Sequence, residues 1–321
     1  MVLYKLLFTT NGPLTCIPNS QKIFGAVCTV INAVKGPDQL QSYFQSFDEE
    51  PFLIHSSMFL NGTMPMIKEN IFDIEMVNKM IGSQSPEKKL DVLSNMKIYK
   101  KIRTVSDRVF TDYILHDRIN DLKQDIFKGN KLTVIDNHLA YAEEKQKFSK
   151  SSQSFFRVRK DVMNEESDEG RLFRDKAEYY PKDTEFKIYV KTTLKEEELK
   201  EIFSYFHYFS VGNKGSIGRN LFTLQDIIKI DLKSDSERKM VLSAYIPMKN
   251  EFEADESSYE LNSVNYIANP KRKGSIYTRK ISHIAEGSVM KFKTHQDYYG
   301  KVISYALGEE RQYHYGIGFV V

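Results

Sequence analysis

The sequence predicts an α+β protein built from two packed units with antiparallel sheets. Three observations support this prediction. Residues 2–10 form a predicted strand that a helix follows, and from about residue 185 the order strand, helix, glycine-rich loop, strand recurs. The 321 residues are 41% hydrophobic and 28% charged, which suits a chain that buries a core. We place the boundary between the units at 184/185, which gives ranges of 1–184 and 185–321.

The first unit opens with a strand and a helix. Residues 2–10 are rich in β-formers, and Asn11-Gly12-Pro13 ends the strand. Ser20 is a predicted N-cap, because apolar residues at helical spacing follow it through residue 34. The next predicted elements are a shorter helix over 36–50 that starts near Pro37 and a buried strand over 51–60.

The middle of the chain predicts an insertion. Residues 70–128 read as mostly helical with a break at Gly82-Ser83, and residues 131–135 read as a short strand. Residues 145–160 hold six Lys or Arg side chains and no acid, which predicts a basic loop that runs into a strand. An acidic stretch, 161–169, follows directly.

The second unit begins with a strand over 185–193. A helix follows from Leu194 to near Phe209, because Glu196, Glu197 and Glu198 suit the positive end of a helix dipole. The remaining predicted elements are a glycine-rich loop over 209–222 that leads into a strand, a strand over 240–247, an acidic loop over 250–260, and several short strands in the tail, 266–321.

Composition excludes several classes of protein. The net charge is only +3, so any nucleic-acid site has to come from local charge placement. The two cysteines, Cys16 and Cys28, are too few for a disulfide scaffold and favour a reducing, cytoplasmic location. The seven histidines form no HxxxH or HExxH pair, so we expect no metal and no cofactor. The start of the chain reads as a strand rather than a signal peptide, and no apolar run predicts a membrane span.

The glycine-rich loop is the first candidate site. Gly212, Gly215 and Gly218 are spaced by three, and Lys214, Ser216 and Arg219 lie between and after them. Glycine lets a backbone approach a phosphodiester closely, and the neighbouring cations add charge attraction. The loop follows a helix and lacks GxxxxGK[ST], so it is not a nucleotide-binding P-loop, and a plain flexible turn stays open as the alternative.

The tail is the second candidate. Between 268 and 301 only Glu286 and Asp297 oppose a run of cations, and tyrosines and a phenylalanine are interspersed. Cations with aromatic planes suit single-stranded RNA, although lysines on a solvated sheet edge are an equal alternative. The candidate contacts in this tail are Arg272, Lys273, Arg279 and Lys280.

Several segments together resemble one family. LLFTTNGPLTCIPNSQKIFGAVC resembles its opening strand, Gly-Pro-Leu turn and helix, and PFLIHSSMF resembles its second strand region. SVGNKGSIGRNLF resembles its glycine-rich loop, and LSAYIP and RKISHIAEGSVMK resemble two later segments. The chain is thereby similar to the RAMP superfamily, specifically to subunit four of the type III-A (Csm) CRISPR effector complex, and the order of the motifs is the specific signal.

The resemblance implies two ferredoxin-like, RRM-like domains and a non-catalytic subunit that binds the 5′ handle of the guide RNA (crRNA). It also implies docking to the large polymerase-like signature subunit and to a backbone RAMP subunit. The motif match places RNA contacts at Ser20, Lys22, Gly212, Lys214, Gly215, Ser216, Gly218 and Arg219, and more weakly at Arg157 and Arg159. The chain departs from the family pattern at Thr15, where relatives carry His, and at Asn220-Leu221 before Phe222.

Two other functions stay open at this point. A metal-independent repeat-processing endoribonuclease of the same superfamily would need a general acid and base, for which His283 and His295 in the basic tail are candidates. A plain protein-interaction module is the third possibility. The absence of a compact His/Tyr/Lys cluster favours the handle-binding subunit.

Overall fold

A computed structural model describes residues 1–70, 78, 86–128, 131–144, 149–158, 172–232, 234, 236–265, 279–307 and 310–321. The predicted break at Gly82-Ser83 and the acidic stretch 161–169 lie outside these residues. The described α-helices are Ser20–Lys35, Pro37–Ser46, Pro86–Tyr99, Asp107–Val109, Ile119–Lys128 and Glu196–Ser204, with a π turn at Phe110–Ile114 and 3₁₀ turns at Tyr205–His207 and Gly215–Ile217. None of these helices is long and apolar enough to cross a membrane.

A central antiparallel sheet organises the chain. Its strands lie in the order Phe222–Lys229, Val2–Thr10, Glu185–Thr192 and Leu53–His55, and Phe59–Leu60 also pairs with Glu185–Thr192, on the same side as Leu53–His55. Along the chain, the helices Ser20–Lys35 and Glu196–Ser204 connect the strands in the order β-α-β-β-α-β. This is the ferredoxin-like arrangement, so the predicted α+β class with antiparallel sheets is confirmed.

The sheet departs from the predicted division at 184/185. Val2–Thr10 pairs with both Glu185–Thr192 and Phe222–Lys229, so residues on each side of that boundary complete one βαββαβ unit. The segment between residues 60 and 185 is an insertion between the second and third strands of the unit. The prediction followed chain order, whereas hydrogen bonds between distant strands decide the composition of a sheet.

The first helix has a different cap from the one predicted. Asn19 is the N-cap, and its side chain accepts a hydrogen bond of 3.1 Å from the Lys22 N–H. Ser20 is fully buried, and its Oγ accepts a 2.9 Å hydrogen bond from the backbone N–H of Ala244. Ser20 therefore joins the first helix to the C-terminal half of the chain. The predicted apolar face is confirmed, because Ile23, Val27, Val30 and Ile31 are buried.

The insertion contains more strand than predicted. Thr104–Ser106 pairs antiparallel with Thr63–Pro65 and parallel with His138–Tyr141. The predicted strand at 131–135 is confirmed as Leu132–Ile135, which completes this four-stranded sheet. Strands of three residues are too short to show an alternating pattern, so Thr104–Ser106 was missed within a stretch predicted to be helical.

The strand into which the basic loop of 145–160 was predicted to run is confirmed, and it takes up most of the described part of that segment. Ser151–Val158 pairs antiparallel over eight residues with Leu172–Tyr179. Backbone hydrogen bonds of 2.8 Å in both directions between Leu14 and Glu178 attach the base of the hairpin to the first turn of the chain. The partner strand lies beyond an acidic stretch in the sequence, so local charge did not predict the pairing that forms the hairpin.

Two predictions for the C-terminal segment are wrong. The predicted strand over 240–247 is mostly irregular. Within it, Val241 and Tyr245 each form a single β-bridge, to Val320 and Ile284 respectively. The predicted acidic loop at 250–260 contains the edge strand Phe252–Ser258, whose central acids are exposed at the edge of a sheet. The remaining strands are Arg238–Met240, Leu261–Val264, Ile281–Ile284, Val289–Phe292, Tyr299–Gly300, Ile303–Leu307, Glu310–His314 and Ile317–Gly318.

Candidate nucleic-acid interface

The glycine-rich loop follows the 3₁₀ turn Tyr205–His207 and enters the edge strand Phe222–Lys229 of the central sheet. Four of its residues have positive φ, namely 111° at Gly212, 66° at Lys214, 73° at Gly218 and 57° at Asn220. Glycine adopts such angles freely, whereas lysine does so at a cost. Positive φ thus explains why glycine occurs at 212 and 218. The same angle at Lys214 has to be stabilised by contacts with neighbouring residues.

Close packing explains two further glycines. A Cβ on Gly215 would lie 2.5 Å from the Cβ of Ser210, inside the van der Waals limit. A Cβ on Gly12, in the turn after the first strand, would lie 2.9 Å from the carbonyl oxygen of Gly218. The sequence interpretation treated Gly12 only as a strand terminator, but it is also the residue against which the glycine-rich loop packs.

Four consecutive backbone N–H groups of the loop make no hydrogen bond to any residue that the structure describes. They belong to Asn213, Lys214, Gly215 and Ser216. The N–H groups on either side are used within the loop, since Gly212 donates to the Ser210 carbonyl and Ile217 to the Lys214 carbonyl. Asn213 and Ser216 are exposed, so this run of donors borders solvent. Successive free N–H groups in such a turn form an anion-binding concavity.

Asn220 joins this loop to the turn after the first strand, and sequence reasoning missed it. Its Oδ1 accepts a 2.8 Å hydrogen bond from the N–H of Thr15, and its Nδ2 donates 2.7 Å to the carbonyl of Asn213. Its own N–H donates to the carbonyl of Pro13 at 3.2 Å. The tolerance of asparagine for positive φ was the available signal. Both departures from the family pattern, at residues 15 and 220, therefore meet at this contact.

The sequence analysis predicted that Arg219 contacts RNA, but its side chain does not face outward. Its side chain is buried, and its guanidinium forms two hydrogen bonds to the carboxylate of Asp175, of 3.0 Å and 2.9 Å. It also donates to the carbonyl of Lys176 at 3.0 Å. The Arg219 guanidinium thus makes a structural contact with the hairpin of Ser151–Val158 and Leu172–Tyr179, because a forked guanidinium matches a carboxylate as well as it matches a phosphate.

Asp175 also binds two other predicted cations. The Nζ of Lys214 donates to one of its oxygens, and the Nε of Arg157 lies 2.9 Å from the other. Hydrogen bonds from Lys214 and then Arg219 lower the pKa of the Asp175 carboxyl, although burial acts in the opposite direction. The structure thus brings Arg157, Lys214 and Arg219 together around one ionised carboxylate that the sequence did not single out.

Lys22 borders the same loop from the first helix. Its stem lies beside Gly212, where a Cβ would be 3.1 Å from the lysine Cδ, and its Nζ is 2.8 Å from the Sγ of exposed Cys16. Lys22 is partly exposed, and its side chain is hydrogen-bonded to the sulfur of Cys16 rather than to a carboxylate. Ser20, two residues earlier, is fully buried, so its side chain does not lie at the surface beside Lys22.

The described candidates in the tail lie next to a strand outside the central sheet. Arg279 and Lys280 are exposed immediately before the strand Ile281–Ile284, and the Arg279 guanidinium lies 5.3 Å from the centre of the Tyr305 ring. This cation–π contact shows one predicted cation beside an aromatic plane. Arg159, Arg272 and Lys273 lie outside the described residues.

The histidines of the alternative nuclease function differ in environment. His283 is buried, and burial lowers the pKa of its imidazole, whereas His295 is exposed. His207 lies at the surface, with Nδ1 at 2.9 Å from both Asn11 Nδ2 and Thr223 Oγ1. Within the described part of the chain, no three His, Cys, Asp or Glu side chains group together as a metal site.

Comparison with known proteins finds solved structures that have the same fold. No family model and no curated protein matches the chain. Among solved structures, a chain of the Csm3-Csm4 subcomplex of the type III-A CRISPR-Cas interference complex matches with a TM-score of 0.63 and 16% identity, over 100% of this chain and 98% of that one. A chain of the Csm1-Csm4 cassette in complex with pppApA matches with a TM-score of 0.57 and 15% identity, over 100% and 97%.

Csm4 is the component that these two assemblies share. The present chain has the fold of Csm4, and the match covers nearly all of both chains. The predicted ferredoxin-like α+β class is thereby confirmed by comparison as well as by strand order. At this level of identity the likeness concerns the fold.

Proposed function

We propose that this chain is a non-catalytic, RNA-binding subunit of a type III-A CRISPR effector complex, in which it holds the 5′ handle of the crRNA. Support comes from the Csm4 fold over the whole chain together with a loop suited to a phosphodiester. The matched structures contain Csm1 or Csm3 beside Csm4, and we propose equivalent partners here, a large polymerase-like subunit and a backbone RAMP subunit.

The run of four free N–H groups at residues 213–216 carries the proposal. A run of unpartnered donors suits the binding of an anion, and the partly exposed cations Lys22 and Lys214 lie beside this run. The concavity lies between a turn and an edge strand of a ferredoxin-like sheet, and its donors read backbone phosphates without regard to base. In this site Arg219 and Asn220 shape the loop, while Lys22 and the backbone of residues 213–216 contact the RNA.

The non-catalytic part of the proposal is supported by the environment of one candidate histidine, His283. A general base near neutral pH needs an accessible group with a pKa close to that pH. His283 is buried with a lowered pKa, and it pairs within a sheet opposite Asn262. Exposed His207 is hydrogen-bonded to Asn11, which precedes Gly12 in the turn that packs against the loop. It is therefore a residue to substitute if cleavage occurs.

The test is incubation of the purified full chain with labelled repeat-derived RNA in the absence of divalent metal, with a scrambled RNA of equal length as control. We expect both RNAs to be retained, because the proposed contacts are to phosphates, and we expect the repeat-derived RNA to stay intact. Failure to retain either RNA contradicts the proposed function. Site-specific cleavage that His207→Ala, His283→Ala or His295→Ala abolishes supports the endoribonuclease alternative instead.

A further inference from the structure

Asp175 lies where the long insertion meets the glycine-rich loop. It belongs to the strand Leu172–Tyr179 of the hairpin, its side chain is only 1% exposed, and it receives Lys214, Arg219 and Arg157. Two of these cations come from the loop, at sequence separations of 39 and 44 residues. A single carboxylate therefore ties both ends of the loop turn, residues 214 and 219, to the insertion.

The first end concerns the backbone of Lys214. Its φ of 66° lies in the left-handed region, which disfavours residues with a Cβ such as lysine. Its carbonyl accepts the N–H groups of Ile217 at 3.2 Å and Arg219 at 3.3 Å, so this dihedral angle sets the turn that leaves the N–H groups of residues 213–216 free. The ion pair with Asp175 anchors the Lys214 side chain in this conformation.

The second end concerns Arg219. Its guanidinium binds both oxygens of Asp175 and the carbonyl of Lys176, and its side chain is 4% exposed. A two-point contact of this kind fixes orientation as well as distance. Because Arg219 lies between Gly218 and Asn220, both of positive φ, the contact holds the exit of the turn.

We infer that Asp175 is a positioning residue that presets the glycine-rich loop for a single-stranded RNA phosphodiester, an inference that rests on the proposed function. Charge alone would make a carboxylate at an RNA site unfavourable, since it repels phosphate. Its contribution is geometric, because it holds the turn in which the N–H groups of residues 213–216 are left without a partner among the described residues. The phosphate is then bound by backbone donors and Lys22, while Arg157 and Arg219 serve the scaffold.

The sign of one substitution distinguishes this role from an electrostatic one. Asp175→Asn removes a negative charge beside the proposed RNA site, so a purely electrostatic or blocking carboxylate predicts tighter RNA binding. A positioning residue predicts weaker binding, on the order of tenfold, because the left-handed turn loses its anchor. Asp255→Asn makes the same charge change at an exposed residue of the strand Phe252–Ser258 and is the matched control.

A second substitution tests the geometry directly. Adding Lys214→Gly to Asp175→Asn supplies a residue that adopts positive φ without an anchor, so the double variant should regain several-fold of the lost affinity. If Lys214 acted through its charge, the double variant would bind more weakly than the single one. Binding is measured on the full chain with labelled repeat-derived RNA at two salt concentrations, and folding is followed by far-UV circular dichroism.

The outcomes separate the two proposals. If wild-type protein binds the RNA and Asp175→Asn binds equally or more tightly, the positioning role is wrong and the RNA-binding function stands. If wild-type protein does not bind, the proposed function itself fails. Should Asp175→Asn not fold, Lys214→Gly and Lys214→Ala are compared, since both lack the ammonium group and differ in backbone preference. Positioning requires the glycine variant to bind several-fold more tightly, and equal binding overturns it.

Discussion

The carbonyl oxygen of Gly218 lies 2.9 Å from the point that a Cβ on Gly12 would occupy. The turn after the first strand and the glycine-rich loop thus touch backbone to backbone, and the Asn220 hydrogen bonds to Thr15 and Pro13 hold the same contact. Substitution on either side of it should therefore disturb one shared surface.

We predict that Gly12→Ala weakens binding of repeat-derived RNA while the overall fold persists. The added methyl group meets backbone rather than a flexible side chain, so the loop has to shift. Gly25→Ala is the control, because this exposed helical glycine has open space around it and alanine favours the helix by about 0.5–1 kcal/mol. Affinity measured by filter binding should fall for the first variant only, and equal affinities would show that the contact does not shape the RNA site.

We predict that valine at Gly215 or Gly218 also weakens RNA binding, for two different reasons. A Cβ at 215 would lie 2.5 Å from the Cβ of Ser210, whereas Gly218 has open space but a φ of 73°. The strain at 218 costs roughly 1–2 kcal/mol, and more for a β-branched side chain. Binding constants and far-UV spectra are compared with wild type. Unchanged binding by both variants would mean that the loop is only a connecting turn.

The salt dependence of RNA binding should distinguish contact residues from scaffold residues. We predict that Lys22→Ala lowers the slope of log K against log salt by about one unit, the value expected for one phosphate contact. Arg219→Ala should instead lower the free energy of unfolding, because it leaves the buried carboxylate of Asp175 with fewer partners. The slope comes from titrations at several salt concentrations, and the free energy from urea unfolding. A full one-unit change for Arg219→Ala alone would place its guanidinium at the phosphates.

The acids of the edge strand Phe252–Ser258 should leave that slope unchanged. The variant replaces exposed Glu253, Asp255 and Glu256 with their amides. Glu251, which the sequence placed in the same acidic loop, is left intact because it is buried and accepts hydrogen bonds from Tyr245 Oη at 2.6 Å and from Gly300 N at 2.8 Å. A slope change as large as that of Lys22→Ala would put this strand beside the RNA.

Stability should fall as the solution is acidified from about pH 6.5 towards pH 4. Burial lowers the pKa of His55 to about 4, and its ring stacks on Tyr315 at 4.5 Å. Below the pKa of about 6.5 in the unfolded chain, the unfolded state binds a proton that the folded state does not, so each pH unit costs up to about 1.4 kcal/mol for this group. Urea unfolding at pH 7, 5.5 and 4.5 measures the loss.

His55→Gln should flatten this pH dependence while lowering stability at pH 7. Burial also lowers the pKa of His314 to about 4, so part of the dependence should remain in the variant. Because the Nδ1 of His55 bonds to the carbonyl of Ser56 at 3.1 Å, the amide retains a donor for that contact. The same slope in the variant and the wild type would assign the acid sensitivity to other groups.

Local signals allowed much of the secondary structure to be predicted. The strand at 2–10 and the apolar face of the helix Ser20–Lys35 follow from residue spacing, and the glycine-rich loop follows from composition. These features were predictable because alternation, helical period and glycine content depend on neighbours within a few residues. Family resemblance added the fold and the expectation of an RNA site.

Tertiary structure alone decided which side chains of the candidate residues face the loop surface and which are buried. Arg219 looked like a phosphate ligand in sequence, yet it is buried against Asp175, and Ser20 is buried against Ala244. The sheet likewise joins Val2–Thr10 to Glu185–Thr192 across the insertion. A cation in a glycine-rich segment binds equally well to a phosphate or to a carboxylate, and only the folded chain brings the carboxylate of Asp175, some forty residues away in sequence, within hydrogen-bond distance.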